Sequence, residues 1–459
     1  MRFLPPRSEP RSPLSPDDVR ESTVHIAPVP SARKHLAGRG RNNAREAGFF
    51  DEFNVKFWGE CRVLYRIAFV AAALGAAAAC NGEDGAAVQP IADAPIAPAP
   101  TPSPTPSPTG TPVAGTPFAR AVMADFDAPW AMTFLPDRRM LVTEKKGELL
   151  LVAADGASRR TIATIEVDSA GQGGLMDVVL APDFATSKRV YFSYSAAGQG
   201  GKGVVLARGI LSGEAGAERL ASIETLYRAT PLVTGDGHYS GRTAFSPDGQ
   251  YLFFTNGDRQ KFTPAQDKGG SLGKVLRLTP DGKPAANNPL AAQGFLPEVW
   301  SYGHRNLLGL AFDQQGNLWQ QEMGPKGGDE LNLILPGRNY GWPNVSNGSN
   351  YDGSDIPDHA PGDGYEAPKV WWNPVISPGG LMIYSGDLFP QYKGDAFIGG
   401  LSSQSLVRVD LNGTNASKGD QWSMGARIRE VEQGPDGAIY VLEDGGDSQG
   451  RLLRLTPAS

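Results

Sequence analysis

One pattern recurs six times along this chain and limits what it can fold into: an apolar run, a turn built on Pro-Asp, Asp-Gly or another glycine, then a second apolar run. Trp130-Ala131-Met132-Thr133-Phe134-Leu135 meets Pro136-Asp137 and then Met140-Leu141-Val142-Thr143. Val178-Val179-Leu180-Ala181 passes through Pro182-Asp183 to Val190-Tyr191-Phe192-Ser193-Tyr194, and Thr243-Ala244-Phe245-Ser246 passes through Pro247-Asp248-Gly249 to Tyr251-Leu252-Phe253-Phe254-Thr255. A fourth copy is Leu308-Gly309-Leu310-Ala311-Phe312 with Gly316-Asn317-Leu318-Trp319. The fifth is looser, Leu381-Met382-Ile383-Tyr384 and Asp395-Ala396-Phe397-Ile398-Gly399, and the sixth runs from Val431 through Gly434-Pro435-Asp436-Gly437 to Ile439-Tyr440-Val441-Leu442. Short apolar runs closed by turn residues, without sustained helical periodicity, are β-strands, and the glycine count of 57 agrees. Further strand-like runs, such as Glu148-Leu149-Leu150-Leu151-Val152 and Arg451-Leu452-Leu453-Arg454-Leu455, extend each group.

Six such groups predict an all-β, six-bladed β-propeller with four-stranded blades, closed radially so that no long edge stays bare. A sandwich or several separate β domains is the alternative that the same strands permit. The insertions 256–272, 282–300 and 343–379 are expected to place loops on one face, where a ligand site can be built.

The start of the chain has a different character. Residues 1–54, rich in Pro, Arg and Ser over most of their length, read as a disordered, non-native extension produced by an overextended reading frame. Residues 55–80 read as an export signal: Arg62 and Arg66 precede the apolar run 67–79, which is too short to span a bilayer comfortably. Ala77-Ala78-Ala79 before Cys80 resembles a lipoprotein processing site, with alanine where leucine is usual. Lipidation of Cys80 would tether the protein to the membrane facing the periplasm; ordinary cleavage would release it there. Residues 81–117 form a Pro/Ala/Thr-rich linker, and 118–459 the propeller domain. Cys61 and Cys80 are the only cysteines, so that domain has no thiol chemistry and no cysteine metal cage. The net charge is −6 and the folded region carries no basic stripe with interleaved aromatics, which argues against nucleic-acid binding.

Two strand entries carry polar groups where packing alone would ask for none: Gly237-His238-Tyr239-Ser240-Gly241-Arg242 and Ser301-Tyr302-Gly303-His304-Arg305-Asn306. A histidine between glycines, held by a rigid scaffold, is a candidate general base. A hydrogen-bonded structural histidine is the plainer alternative, and it weighs more on His304 than on His238.

In their order, Gly171-Gln172-Gly173-Gly174-Leu175, Gly303-His304-Arg305-Asn306, Glu322-Met323-Gly324-Pro325, Asp329-Glu330-Leu331-Asn332-Leu333, Asn339-Tyr340-Gly341-Trp342-Pro343 and Arg427-Ile428-Arg429-Glu430-Val431 resemble the soluble quinoprotein sugar dehydrogenases. The likeness is to the bacterial aldose sugar dehydrogenases of the glucose/sorbosone dehydrogenase family. That resemblance implies pyrroloquinoline quinone (PQQ) over the central channel with Ca²⁺ bound to it, and oxidation of the C1 hydroxyl of aldose sugars to the lactone. Electrons would pass to a small quinone or cytochrome rather than to NAD, and no Gly-x-Gly-x-x-Gly turn stands between a strand and a helix here.

Carried over residue by residue, His238 matches the general base, and Arg305 and Asn306 the pair near the quinone oxygens. Gln172, Arg259, Arg427 and Arg429 match cofactor-contacting positions. Gly324 and Pro325 match carbonyl ligands of calcium, with Glu322 and Asp329 as loop-fixing groups. Gln172, His238 and Trp372 would line the substrate space. At least one of Arg427 and Arg429 is expected to contact the cofactor indirectly, unless a bulge at the channel rim brings both in. Three departures stand out: Gly237 replaces the aspartate that precedes the histidine in the glucose enzymes, Ser402 replaces a lysine, and Arg259 replaces a glutamine. The carboxylate that orients His238 must then come from elsewhere or be absent. A calcium-dependent propeller hydrolase and a non-catalytic surface-binding propeller are the rival functions.

Overall fold

The computed structural model describes residues 110–445 and 449–458. The extension 1–54, the export segment 55–80 with Cys80, and the linker as far as residue 109 lie outside the described residues.

Six antiparallel sheets form the blades of a propeller. The innermost strands are Pro129–Phe134, Leu175–Leu180, Ser240–Phe245, Leu307–Phe312, Pro378–Ile383 and Ile428–Gln433. Each packs against the next around a ring, and the sixth returns to the first. Two connected apolar sequences per blade therefore build its inner half, as the repeating pattern predicts. The middle strands carry apolar cores: Phe254, Leu276, Trp319, Ile398 and Val441 are all buried. These residues interlock between neighbouring blades, where burial of each large side chain contributes about 1.5–3 kcal/mol before entropy is counted.

The chain closes its ring by a long-range pairing. The last sheet is Ile428–Gln433, Ile439–Glu443 and Gln449–Pro457 from the C-terminal end, with Phe118–Asp127 from the N-terminal end as the next strand out. Phe118 pairs with Pro457 and Asp127 with Gln449. A two-residue strand, Thr111–Pro112, adds to this edge from within the stretch expected to be linker.

Antiparallel alternation also corrects one expectation. The insertion 282–300 joins the third and fourth strands of its blade, a junction at the end opposite the central pocket, and none of its residues lines that pocket. The segment 257–273 joins the second and third strands and sits beside His238. Residues 334–369 leave the opposite end of the fourth blade but climb back, with Asn339 bridging Tyr302 and Trp342 reaching Asp258.

Below the pocket the channel is plugged by Arg242. Its guanidinium lies 3.1 Å from Asp177, 2.5 Å from Glu430 and over the ring of Trp130 at 4.2 Å. A buried guanidinium needs such partners, since an unpaired charge here would be prohibitive.

Candidate active site

The pocket at the centre of the ring has a volume of about 290 Å³. Strand starts and the loops beside them supply its wall, including Gln172, Tyr239, Ser240, Asn306, Arg427 and Arg429. Asn306 accepts from the Ser240 hydroxyl at 3.3 Å and donates toward the sulfur of Met323 at 3.7 Å.

His238 stands beside this wall and is 5% exposed. Its backbone N–H donates to the side-chain oxygen of Gln172 at 2.7 Å, tying two of the expected residues together. Its Nδ1 lies 2.7 Å from Oδ1 of Asp258. A carboxylate only accepts, so Nδ1 carries the proton and Nε2 keeps its lone pair. Burial pushes the imidazole below its ordinary value, Arg305 and Arg259 add to that, and Asp258 opposes it. The ring is thus a neutral base at neutral pH.

Asp258 is the orienting carboxylate whose source the sequence left open. It is fully buried, and its second oxygen accepts from the Trp342 indole N–H at 2.8 Å. The hairpin register explains its place: Ser240 pairs with Asn256, so the residue two beyond Asn256 arrives beside the residue two before Ser240. Gly257 permits this approach, because a Cβ there would run into the His238 carbonyl. The backbone at His238 is itself unusual, with φ of 48°. Such left-handed strain in a non-glycine residue persists only where its surroundings fix it, and it concentrates at functional sites.

Arg305 lies one step away in a small adjoining cavity of about 10 Å³, lined also by Gly324 and Pro325. Its guanidinium donates to the carbonyls of Met323 at 2.9 Å and Gly324 at 2.6 Å. It is flanked by the rings of Trp342 at 5.2 Å and Tyr351 at 5.8 Å. The Tyr351 hydroxyl is 3.2 Å from Nη2, and this tyrosine is 73% exposed over the site. Nothing in the sequence singled it out.

Both terminal arginines reach the pocket. Ile428 pairs with Glu443 but Glu430 with Leu442, a bulge at Arg429 that breaks simple alternation. Arg427 and Arg429 then share one carboxylate oxygen of Asp444, at 3.0 and 2.7 Å.

Glu322 and Asp329 hold loops. Glu322 accepts the backbone N–H of Arg305 at 2.7 Å, and burial, with the charge of Asp258 adding to it, pushes its carboxyl up. Asp329 accepts the N–H groups of Gly324 at 2.8 Å and of Ile376 and Ser377 at 2.7 Å. His304 is fully buried, stacked on Tyr340, and pushed down to about 3 by burial, which marks it as structural.

Four residues expected to contact cofactor or substrate are outside the pocket lining: His238 and Arg305 stand beside it, and Arg259 and Trp372 are engaged elsewhere. Arg259 is 1% exposed and lies over the outer face of Tyr239 at 3.6 Å, donating to the Gly235 carbonyl at 2.5 Å. Its φ is 56°, in the turn after Asp258, and it is absent from the pocket lining. Trp372 sits in the outermost strand of the fourth blade, Val370–Trp372, packed in the core with Trp319 and Ile376. An outer strand is remote from the axis, whatever its aromatic content. Ser402 likewise points elsewhere, to the hydroxyl of Ser377 at 2.7 Å.

Comparison with known proteins agrees with this geometry. The family model described as Glucose / Sorbosone dehydrogenase matches residues 126–454. Aldose sugar dehydrogenase YliI of Escherichia coli is 40% identical over 341 residues, covering 72% of this chain and 90% of the relative. The crystal structure of the soluble aldose sugar dehydrogenase from Escherichia coli, in its apo form, superposes with a TM-score of 0.70 at 38% identity, covering 74% of this chain and all of that one. The PQQ-bound aldose sugar dehydrogenase from Streptomyces coelicolor gives a TM-score of 0.61 at 28% identity, with coverage of 74% and 98%. The chain belongs to the glucose/sorbosone dehydrogenase family.

Proposed function

We infer that the chain is a PQQ-dependent oxidoreductase that converts the C1 hydroxyl of aldose sugars to the lactone. The observation that carries this reading is the buried His238–Asp258 pair at the edge of a pocket walled by Arg427 and Arg429. PQQ, when bound, supplies a quinone that accepts two electrons as hydride. The residues supply the rest. His238 Nε2 takes the hydroxyl proton as C1 loses its hydrogen, and Asp258 stabilises the imidazolium so formed. Arg305 and Asn306 direct positive potential and N–H groups toward oxygens that gain charge. Arg427 and Arg429 offer guanidinium forks to the carboxylates of the cofactor. Gln172 both lines the pocket and braces His238.

The residues also suit calcium. Among the described residues no three or more His, Cys, Asp or Glu side chains converge as a metal site, and carbonyl ligation requires none. The Gly324 carbonyl accepts from the Arg305 guanidinium at 2.6 Å, so its oxygen already faces a cation. Calcium held by Gly324 and Pro325 would compete with Arg305 for that carbonyl. We take the electron acceptor to be a small quinone or cytochrome, and the protein to be exported, free or tethered through Cys80. No helix among the described residues is long and apolar enough to cross a membrane.

The test is reconstitution. PQQ and Ca²⁺ are added to purified apoprotein, and glucose, galactose, xylose and maltose are assayed with an artificial acceptor. His238→Ala is expected to keep the cofactor bound and to lose roughly 10²–10⁴-fold in turnover. Wild-type protein that neither binds PQQ nor oxidises any of the sugars would remove the reading; a His238→Ala variant with full turnover would remove the base.

A further inference from the structure

We propose that Lys145 is a third cationic anchor for the cofactor, supplied by the first blade in place of the cation that Ser402 does not provide in the fifth. The inference rests on the reading of the pocket as the seat of PQQ, a tricarboxylate.

Lys145 lines the central pocket beside Gly173 and Gln172. It follows directly on the strand Met140–Glu144, and its backbone is fixed on both sides. Its N–H donates to the Ala128 carbonyl at 3.0 Å, and its own carbonyl accepts from Leu175 at 3.1 Å. The second blade makes room for the side chain: Gly174 has φ of 136°, and a Cβ there would strike the carbonyl and Cγ of Lys145. The stem of Lys145 therefore lies against a bare stretch of backbone at the junction of two blades. The next residue, Lys146, lies outside the pocket lining, where it meets Asp127 at 2.8 Å and is 66% exposed in its side chain. Consecutive residues at a strand end diverge in this way.

Charge decides why the anchor matters. Among the described residues that line the pocket, three cations, Lys145, Arg427 and Arg429, stand against one anion, Asp444. Both arginines already direct an N–H at the same Asp444 oxygen. Without Lys145 the wall would hold a single net positive charge against three carboxylates. A lysine on a flexible stem suits this task, since it acts as a mobile point charge and needs no bidentate geometry.

The experiment is an equilibrium titration of full-length apoprotein with PQQ at fixed Ca²⁺, followed by dialysis or by quenching of protein fluorescence, at low and high ionic strength. Lys145→Met, which keeps most of the stem, is expected to bind PQQ roughly 10-fold more weakly than wild type. Lys145→Arg should restore most of the affinity and Lys145→Glu should weaken it further. Lys146→Met should match wild type, and the gap between wild type and Lys145→Met should narrow as salt rises. Thermal melting without cofactor, unchanged in Lys145→Met, establishes that the loss is in binding. Wild-type affinity in Lys145→Met, or an equal loss in Lys146→Met, overturns the proposal. If wild type itself does not bind PQQ, the cofactor reading fails and Lys145 loses its assignment with it.

Discussion

The pair His238–Asp258 carries two consequences at the scale of single residues. Because burial and the nearby Arg305 and Arg259 hold the imidazole below its ordinary value of 6.5, it stays deprotonated into mildly acidic solution. A general base must be neutral to act, so kcat/KM is expected to fall only as pH drops below 6.5, through the lowered pKa. Asp258 raises that pKa, and it also fixes the tautomer. Asp258→Asn should accordingly lower kcat by roughly 10²-fold or more while moving the acid limb to still lower pH. A structural residue would lower activity without moving the limb, so the pH profile of the variant separates the two roles. An unchanged kcat in Asp258→Asn would show that the imidazole needs no orienting carboxylate.

Among the elements, the segment 257–273 matters most, because it delivers Asp258 to His238. It is pinned from beneath by Lys274, fully buried, whose ammonium donates to the carbonyls of Pro264, Ala265 and Leu272 at 2.8, 2.8 and 2.7 Å. Lys274→Met keeps the apolar stem but leaves three carbonyls without their donor. The expected cost is about 3 kcal/mol, read as a lower denaturation midpoint with faster hydrogen exchange across 258–272. Wild-type protection of those amides would mean that the loop is held by other contacts. The legibility of the sequence also varied by element. Inner and middle strands could be read because their apolar runs and Pro-Asp turns are local signals. Outer strands such as Arg219–Arg228 and Asn415–Ser423 could not, since one face of each meets solvent and their composition is that of loops. Trp372 differs: its aromatic character is shared by core and by binding sites, and it packs in the core of its blade. Gln172 and Asn306, which ordered motifs single out, lie in the pocket wall, and Arg305 lies in the cavity beside it. Asp258 as partner of His238 was missed because its position depends on hairpin register, and Tyr351 because it reaches Arg305 from a remote loop. Arg259 is outside the pocket lining because a motif gives a position along the chain and not the direction in which the side chain leaves it.

Over the whole molecule, the site exists only while the ring is closed. Its residues come from strand starts and adjacent loops spread around the propeller, from Gln172 before the second blade to Arg429 in the sixth, and no pair of blades contains them all. Closure depends on Phe118–Asp127 pairing with Gln449–Pro457, a contact that no local sequence signal announces. Phe118 and Phe126 are buried, so this strand contributes apolar packing as well as hydrogen bonds. Removing residues 110–127 would expose the edge of the sixth blade and a strip of its core together. Because the inner strands pack in an unbroken ring, the damage should spread beyond one blade. Intact protein is expected to unfold in one cooperative transition, and the shortened protein to melt well below it with its near-ultraviolet dichroism weakened and PQQ binding lost. Calorimetry of both forms decides the matter. A shortened protein that kept the native melting temperature would mean that the first-to-last pairing is dispensable, and separate transitions in the intact protein would mean that the blades are stabilised independently.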